Sequence, residues 1–393
     1  MSDASANVSR AGAECTSTTH LDAGALRLAN HQLELRLPLI SDLSLSRVVA
    51  YGDVWDMWQL AWSDGVTFEA HGRQLWFFLA TPILADPEDR HDIARIRMAS
   101  LGFDGWRDHG WVFPVGWTPG SREWSGCSVL DDDGRTVTIY FTATGRRGGH
   151  LTFEQRLFET RGSLDFANGE PVLSGWTPPV ESVAADGVYY KVADQAVAPR
   201  RGIWAFRDPS FFIDPTDGEE HLLFSGSAGW TDDDLDGVIG VATRTDGRWQ
   251  LRPPLVEAIG VNSELERPHV IHRDGRYYLF WSSHGRRHAP MLGAPTGLYG
   301  MVAERFSGPW RPVNGSGLVA ANPVESPFQA YCWWVTAEGA VLSFVDYPGA
   351  TGHEPPKDPA KRRALFGGTV APNFHLRFDG ETVLPVVTGA PVP

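Results

Sequence analysis

Arg207-Asp208-Pro209-Ser210-Phe211-Phe212-Ile213 runs on to Leu223-Phe224-Ser225, and Arg267-Pro268-His269-Val270-Ile271 runs on to Leu279-Phe280-Trp281-Ser282. The offset of about 57 residues is a period of propeller blades rather than of sandwich strands. The second half of the unit, a Gly-containing turn followed by a strand ending in an aromatic, recurs along the chain. Its copies are His71-Gly72 before Leu75-Trp76-Phe77-Phe78, Asp133-Gly134 before Thr138-Ile139-Tyr140-Phe141, and Asp217-Gly218 before His221-Leu222-Leu223-Phe224. Asp274-Gly275 before Tyr277-Tyr278-Leu279-Phe280 and Glu338-Gly339 before Val341-Leu342-Ser343-Phe344 complete the set. Asp-Gly between apolar runs signals a hairpin whose two turn residues take positive φ. Five units over about 340 residues predict an all-β, five-bladed β-propeller. A β-sandwich with hairpin extensions is the competing architecture.

Nothing resembling a long linker divides the chain, so residues 46–393 read as one propeller and residues 1–45 as an N-terminal helical or irregular extension wrapping it. Residues 1–20 are rich in Ser, Thr and Ala and read as a frayed end. Asp22 is placed to cap a short helix reaching Asn30. Gln32-Leu33-Glu34-Leu35-Arg36-Leu37 alternates at period two and predicts a half-buried strand.

The 393 residues are 42% hydrophobic, enough for a large core, and carry a formal net charge of -14. That charge argues against nucleic acid, which needs a basic face, and gives no help at an anionic membrane. A neutral ligand suits it better. Sixteen tryptophans exceed what a core of this size calls for. The surplus fits a carbohydrate site, where aromatic faces pack on sugar C–H and polar groups take the hydroxyls. Cys15, Cys127 and Cys332 are widely spaced and odd in number, so neither a disulfide framework nor a zinc site is expected. No apolar run approaches the roughly 18 residues of a membrane span. Met1 to Arg10 lacks the basic start and apolar stretch of a secretory signal.

Chemistry enters with three acids placed just before hairpin units. They are Asp56 in Val54-Trp55-Asp56-Met57-Trp58, Asp208 in Phe206-Arg207-Asp208-Pro209, and Glu266 in Glu264-Leu265-Glu266-Arg267-Pro268-His269. Each sits in or beside an apolar stretch, where an unpaired carboxylate is costly. In a propeller the innermost strands line a central pocket, so acids at the same place in three repeats can converge there. Glycosidic cleavage asks for such a set: one carboxylic acid to protonate the leaving oxygen and a second to attack the anomeric carbon from roughly 5 Å away. A third can stabilise the developing charge. Glu264 is a negative neighbour for Glu266 if both face inward along one strand. Taken singly, each acid also fits as an ordinary partner of an adjacent Arg.

At these residues the sequence resembles glycoside hydrolase family 68, the levansucrases, inulosucrases and related bacterial β-fructofuranosidases. The resemblance rests on Val54-Trp55-Asp56, Glu123-Trp124-Ser125-Gly126, Arg207-Asp208-Pro209, Glu264-Leu265-Glu266-Arg267-Pro268, Gly297-Leu298-Tyr299-Gly300 and Phe328-Gln329-Ala330-Tyr331, all in the family's order. It implies a five-bladed propeller and sucrose as donor, with a fructan, an oligosaccharide or water as acceptor. It assigns Asp56 as nucleophile, Asp208 as transition-state stabiliser and Glu266 as general acid/base. Trp55, Trp124 and Ser125 then shape the fructosyl pocket, with Ser125 hydrogen-bonding near the nucleophile. Arg207, Glu264 and Tyr331 grip the sucrose, and His284 reaches the glucosyl or acceptor side. Trp124 and Tyr331 also fit as core aromatics. The resemblance implies no cofactor and an extracellular address; the missing signal leaves a cytoplasmic one open.

The departures from the family bear on acceptor control. Gln59 stands where the family commonly has Pro, Phe224-Ser225-Gly226-Ser227 replaces a Phe-Glu-Gly-Asn run, and Trp281 replaces a smaller residue before the loop Gly285 to Thr296. Asp232-Asp233-Asp234-Leu235-Asp236-Gly237 matches the opening of a calcium loop, but its twelfth position is Thr243 rather than Glu. It reads as an exposed acidic loop, and no metal is expected. Three functions follow: fructosyl transfer from sucrose, with the mainly hydrolytic β-fructofuranosidase as its variant; an inverting arabinan- or xylan-type propeller hydrolase; and a non-catalytic sugar-binding propeller.

Overall fold

In the computed structural model the described residues are 18–41, 45, 47–195, 202–351 and 354–387. Among them the strands form five antiparallel blades. Blade I is built from Gly52–Trp62, Arg73–Pro82, Arg95–Gly102 and Gly105–Trp111, and blade II from Arg122–Leu130, Thr136–Thr144, Gln155–Ala167 and Glu170–Ser174. Blade III contains Phe206–Ile213, Glu220–Ser227, Gly237–Thr245 and Arg248–Glu257. In blade IV Glu266–Arg273, Arg276–Ser283 and Gly297–Ala303 are edged by the short strands Arg311–Pro312 and Leu318–Ala321. Ala330–Val335, Ala340–Val345, Phe374–Asp379 and Thr382–Val386 make blade V. Each of the five aromatic-ended runs that recur in the sequence is the second strand of its blade and is buried on both faces. No described helix is long and apolar enough to cross a membrane.

The hairpins differ from expectation in detail. His71-Gly72 and Asp274-Gly275 do place both turn residues at positive φ, but in the other three turns only the glycine does so. Those turns are longer and are closed by side chains instead; Asp133 Oδ1, for instance, accepts from the N–H groups of Arg135 and Thr136 at 2.8 and 2.7 Å.

All five innermost strands share one irregularity. Their pairing slips between Trp55 and Trp58, Trp124 and Gly126, Arg207 and Ser210, Glu266 and His269, and Tyr331 and Trp334. Such bulges re-aim side chains next to active sites. Four residues inside the slips hold a positive φ: Asp56 at 47°, Asp208 at 62°, Arg267 at 54° and Cys332 at 55°. This is costly for non-glycine residues and persists where surrounding packing enforces it. The slip also corrects the alignment of the acids. Asp56 and Asp208 do occupy equivalent bulge positions, with Ser125 and Cys332 in the matching places of blades II and V. In blade IV that place belongs to Arg267, and Glu266 sits one step earlier, level with Trp55, Trp124, Arg207 and Tyr331.

Asp22 caps a helix over Ala23–Leu28, its Oδ1 accepting from Gly24 N–H at 2.7 Å, and a 3-10 turn follows over Ala29–His31. The expected strand at Gln32 to Leu37 is absent. Leu33–Leu35 forms a 3-10 turn and only Arg36 bridges to the edge of blade IV at Ala321. Leu35 and Leu37 are buried as the alternation required, but the turn rotates Leu33 out to solvent. Leu21, Leu26, Ala29 and Leu35 pack into the core shared by blades III and IV. The expectation of a frayed end at residues 1–20 falls mostly outside the described residues; Thr19 and His20 pair in parallel with Val256 and Glu257.

Blades I and II are joined by a short parallel pairing of Leu60–Trp62 with Ser128–Leu130. Blades V and I meet differently. Val54 N–H donates to Gly368 O at 3.0 Å, Thr67 binds Glu338, Tyr347 Oη donates to Glu88 at 2.5 Å, and Trp334 Nε1 donates to Gln59. Arg363, on the helix Pro359–Leu365, pairs with the buried Asp53 of blade I at 2.5 Å.

Candidate active site

The innermost strands end around a cavity of about 580 Å³ whose wall includes all ten residues selected from the sequence: Trp55, Asp56, Trp124, Ser125, Arg207, Asp208, Glu264, Glu266, His284 and Tyr331. Asp56, Asp208 and Glu266 enter from blades I, III and IV. Burial raises the Asp56 carboxyl from its ordinary value to about 6. The Arg267 guanidinium and a hydrogen bond from Cys332 oppose that rise, while the charges of Asp208 and Glu266 add to it.

Asp208 is held on both oxygens. Ser125 Oγ donates to Oδ1 at 2.6 Å, so the hydrogen bond of this serine goes to Asp208. Ser225 Oγ lies 3.1 Å from Oδ2 and 2.9 Å from the Leu265 carbonyl, and Arg267 N–H reaches Oδ2 at 3.3 Å. Arg207 spans three carboxylates: Nη2 is 3.1 Å from Glu266 Oε1 and 3.7 Å from Glu264 Oε1, and Nε is 3.6 Å from Asp208 Oδ2. The other Glu266 oxygen accepts from the Tyr331 hydroxyl, whose own proton is retained because burial pushes that phenol well above its ordinary range. His284 stacks on the Tyr331 ring with centroids 3.5 Å apart. Burial, then the nearby Arg286 and Arg287, hold His284 well below the ordinary histidine range and so uncharged. Glu264 precedes the strand instead of sharing it with Glu266, and is fixed by Arg287 Nε at 2.8 Å. Burial raises its carboxyl, and the Glu266 charge adds to the rise.

Trp55 and Trp124 frame the opening with His91 between them, edge-on to both at 6.0 and 6.4 Å. The His91 carbonyl accepts from Trp124 Nε1 at 3.0 Å, and Arg90 lies 5.5 Å over the Trp55 ring. Sequence reasoning missed Arg267, Ser225, Cys332, Arg90 and His91. The Glu266-Arg267-Pro268 tripeptide, echoing Arg207-Asp208-Pro209, was the one signal for Arg267, whose Nη1 donates to Met57 O at 2.9 Å on the strand that carries Asp56.

The model of the levansucrase/invertase family matches residues 7–236 and 235–388. The chain belongs to the levansucrase/invertase family. It is 31% identical over 404 residues to levansucrase LscB of Pseudomonas savastanoi pv. glycinea, an alignment covering 91% of this chain and 88% of that one. With the levansucrase of Erwinia amylovora it shares 32% over 372 residues, 84% of each chain. An inulosucrase from Halalkalicoccus jeotgali bound to kestose superimposes with a TM-score of 0.87 at 34% identity, covering 96% of this chain and 97% of that one. Five-bladed architecture and family membership thus agree with the reading of the repeats and motifs.

The departures from this family's pattern fall in different places. Ser225 lies against Asp208. Trp281 is wholly buried, stacked on Tyr299 at 6.1 Å in the core between blades, and forms no part of the cavity wall. Gln59 is buried at the seam with blade V. In the acidic loop, Asp236 is buried and paired with Lys191 at 2.7 Å, and among the described residues no group of His, Cys, Asp or Glu could hold a metal ion.

Proposed function

We propose that this protein is a retaining, sucrose-cleaving fructosyltransferase of the levansucrase type, with residues 46–393 as its catalytic propeller and residues 1–45 as an extension. The observation that carries the reading is the meeting of Asp56, Asp208 and Glu266 in one cavity of a chain of this family. Asp56 attacks the anomeric carbon of the fructosyl unit. The bond to the glucosyl oxygen breaks, and Glu266 passes its proton to that oxygen, releasing glucose. Glu266, now a base, takes the proton of an incoming hydroxyl whose oxygen displaces Asp56. A sugar acceptor extends a fructan or oligosaccharide; water yields fructose.

Asp208 makes no covalent bond in this scheme. With both oxygens oriented by Ser125, Ser225 and Arg267 N–H, it is a fixed negative group beside the oxocarbenium-like transition state, which costs little reorganisation when charge develops. Trp55 and Trp124 supply aromatic faces to the fructosyl unit, and Arg207, Glu264, Tyr331 and His284 form the side towards the leaving glucose and the acceptor. Incubation with sucrose followed by chromatography tests the reading. Free glucose in excess of fructose means transfer, equal amounts mean hydrolysis, and no glucose defeats both. Asp56→Ala is expected to abolish glucose release while the chain stays folded; near-normal turnover would remove Asp56 from the mechanism.

A further inference from the structure

Asp346 follows directly on Val345, the last residue of the second strand of blade V, and its N–H donates to Gln329 O at 3.0 Å. That register turns its carboxylate into the wall of the cavity that holds Asp56. The side chain is 4% exposed, and Oδ1 is buried without a hydrogen-bond partner among the described residues. Native folds rarely leave such an atom unmet, and a carboxylate tolerates it least. Its neighbours direct their other donors elsewhere, and Arg90 Nε is itself buried with no hydrogen bond among the described residues. Arg90 Nη1 donates to Pro87 O at 2.9 Å and to Glu88 at 3.0 Å, and the Tyr347 hydroxyl is also spent on Glu88.

The unmet atom has company. Trp55 Nε1, Arg90 Nε, Arg207 Nη1 and both Nε and Nη2 of Arg267, in the same wall, are buried donors with no hydrogen bond among the described residues. A wall offering hydrogens at several points and a lone pair at another complements a polyol, each of whose hydroxyls both donates and accepts. We infer that Asp346 is a specificity-determining residue that accepts a hydrogen bond from a hydroxyl of the bound fructosyl ring. The fructosyl side is indicated because Arg90, the charge that bears most on Asp346, lies over the Trp55 ring, and the Asp56 charge bears on it too. Burial, against the pull of Arg90, lifts the Asp346 carboxyl to about 7, which a hydroxyl donated by substrate would bring down again.

The inference rests on the sucrose-cleaving reading above, and its test separates the two. Wild type, Asp346→Asn and Asp346→Ala are compared on sucrose and on sucrose analogues that each lack one fructosyl hydroxyl. Wild type is expected to lose about 10-fold or more in kcat/KM on at least one analogue. Asp346→Ala is expected to erase that difference, while being poorer on sucrose itself. Should the alanine variant fail to fold, the isosteric asparagine variant, expected to blunt the same difference, decides. Asp346 variants within about two-fold of wild type on sucrose, or a loss of the same size on every substrate, would assign the residue to structure alone and overturn the inference. Wild type releasing no glucose from sucrose would instead overturn the reading on which it rests.

Discussion

Asp56 carries two costs at once, a positive φ and a carboxyl raised to about 6 by burial. In the proposed mechanism Asp56 attacks as the carboxylate while Glu266 gives a proton, so kcat/KM on sucrose is expected to fall about 10-fold per pH unit on the acid side of pH 6; a pH profile flat to pH 5 would contradict this. The same shift bears on stability. A carboxyl whose folded value lies above its unfolded one near 3.8 stabilises the fold in acid and loses that contribution as pH rises towards 6. At pH 7.5 the ionised, buried Asp56 therefore costs on the order of 2–3 kcal/mol. Asp56→Asn is expected to be inactive and to melt higher than wild type at that pH, as calorimetry can show. His284 is stacked on Tyr331 and uncharged, so in the proposed arrangement it would contribute shape rather than charge to the acceptor side. His284→Ala is expected to change the ratio of transfer to hydrolysis more than it changes sucrose consumption; an unaltered product ratio would place it outside that side. Of the residues picked from the sequence, all but His284 were legible because each lies in one of the short runs on which the family resemblance rests. Cys332 was not, since a small residue signals nothing until the backbone brings it to an acid, and Ser225 showed only as a departure from the family's Phe-Glu-Gly-Asn run.

At the scale of the strand, the decisive device is the bulge repeated in all five blades. It turns the residue that would alternate outward into the axis, so two successive positions, such as Trp55 with Asp56 or Arg207 with Asp208, both serve one cavity. Period-two patterning cannot show this, which is why Glu266 looked equivalent to Asp56 and Asp208 when Arg267 is the true counterpart. The period itself and the aromatic second strands were legible because burial on both faces leaves a continuous apolar run. The alternation at Gln32 to Leu37 misled for the opposite reason: the segment meets the propeller through one bridge, and a single turn satisfies its N–H groups locally. Across the blade III hairpin, Ser225 is paired with Arg207 and reaches Asp208. Its single proton is shared between Asp208 and Leu265 O, so Ser225→Ala is expected to lower kcat by roughly 10-fold with little change in KM, at about 1 kcal/mol of stability. A change confined to KM would show that it does not steady Asp208.

The ring as a whole is shut mainly by side chains. Thr19–His20 pairs with blade III, so among the described residues no strand from one end of the chain completes a blade begun by the other, and blades V and I are held by contacts such as Asp53 with Arg363 and Thr67 with Glu338. Asp53 is buried while Arg363 is partly exposed. Removing Arg363 leaves a carboxylate in the interior with only Arg47, at 3.4 Å, to answer it, and Arg363→Ala is expected to cost about 2 kcal/mol or more in urea unfolding. Asp56 stands on one bank of this seam, and Cys332, Tyr331 and Asp346 stand on the other. Parting the two banks by a few ångströms would leave all five blades intact and the reaction centre split down its middle. Enzyme warmed or denatured gently should thus fall silent while its circular dichroism still reports a folded protein, and recover on cooling as fast as the two faces can find each other again.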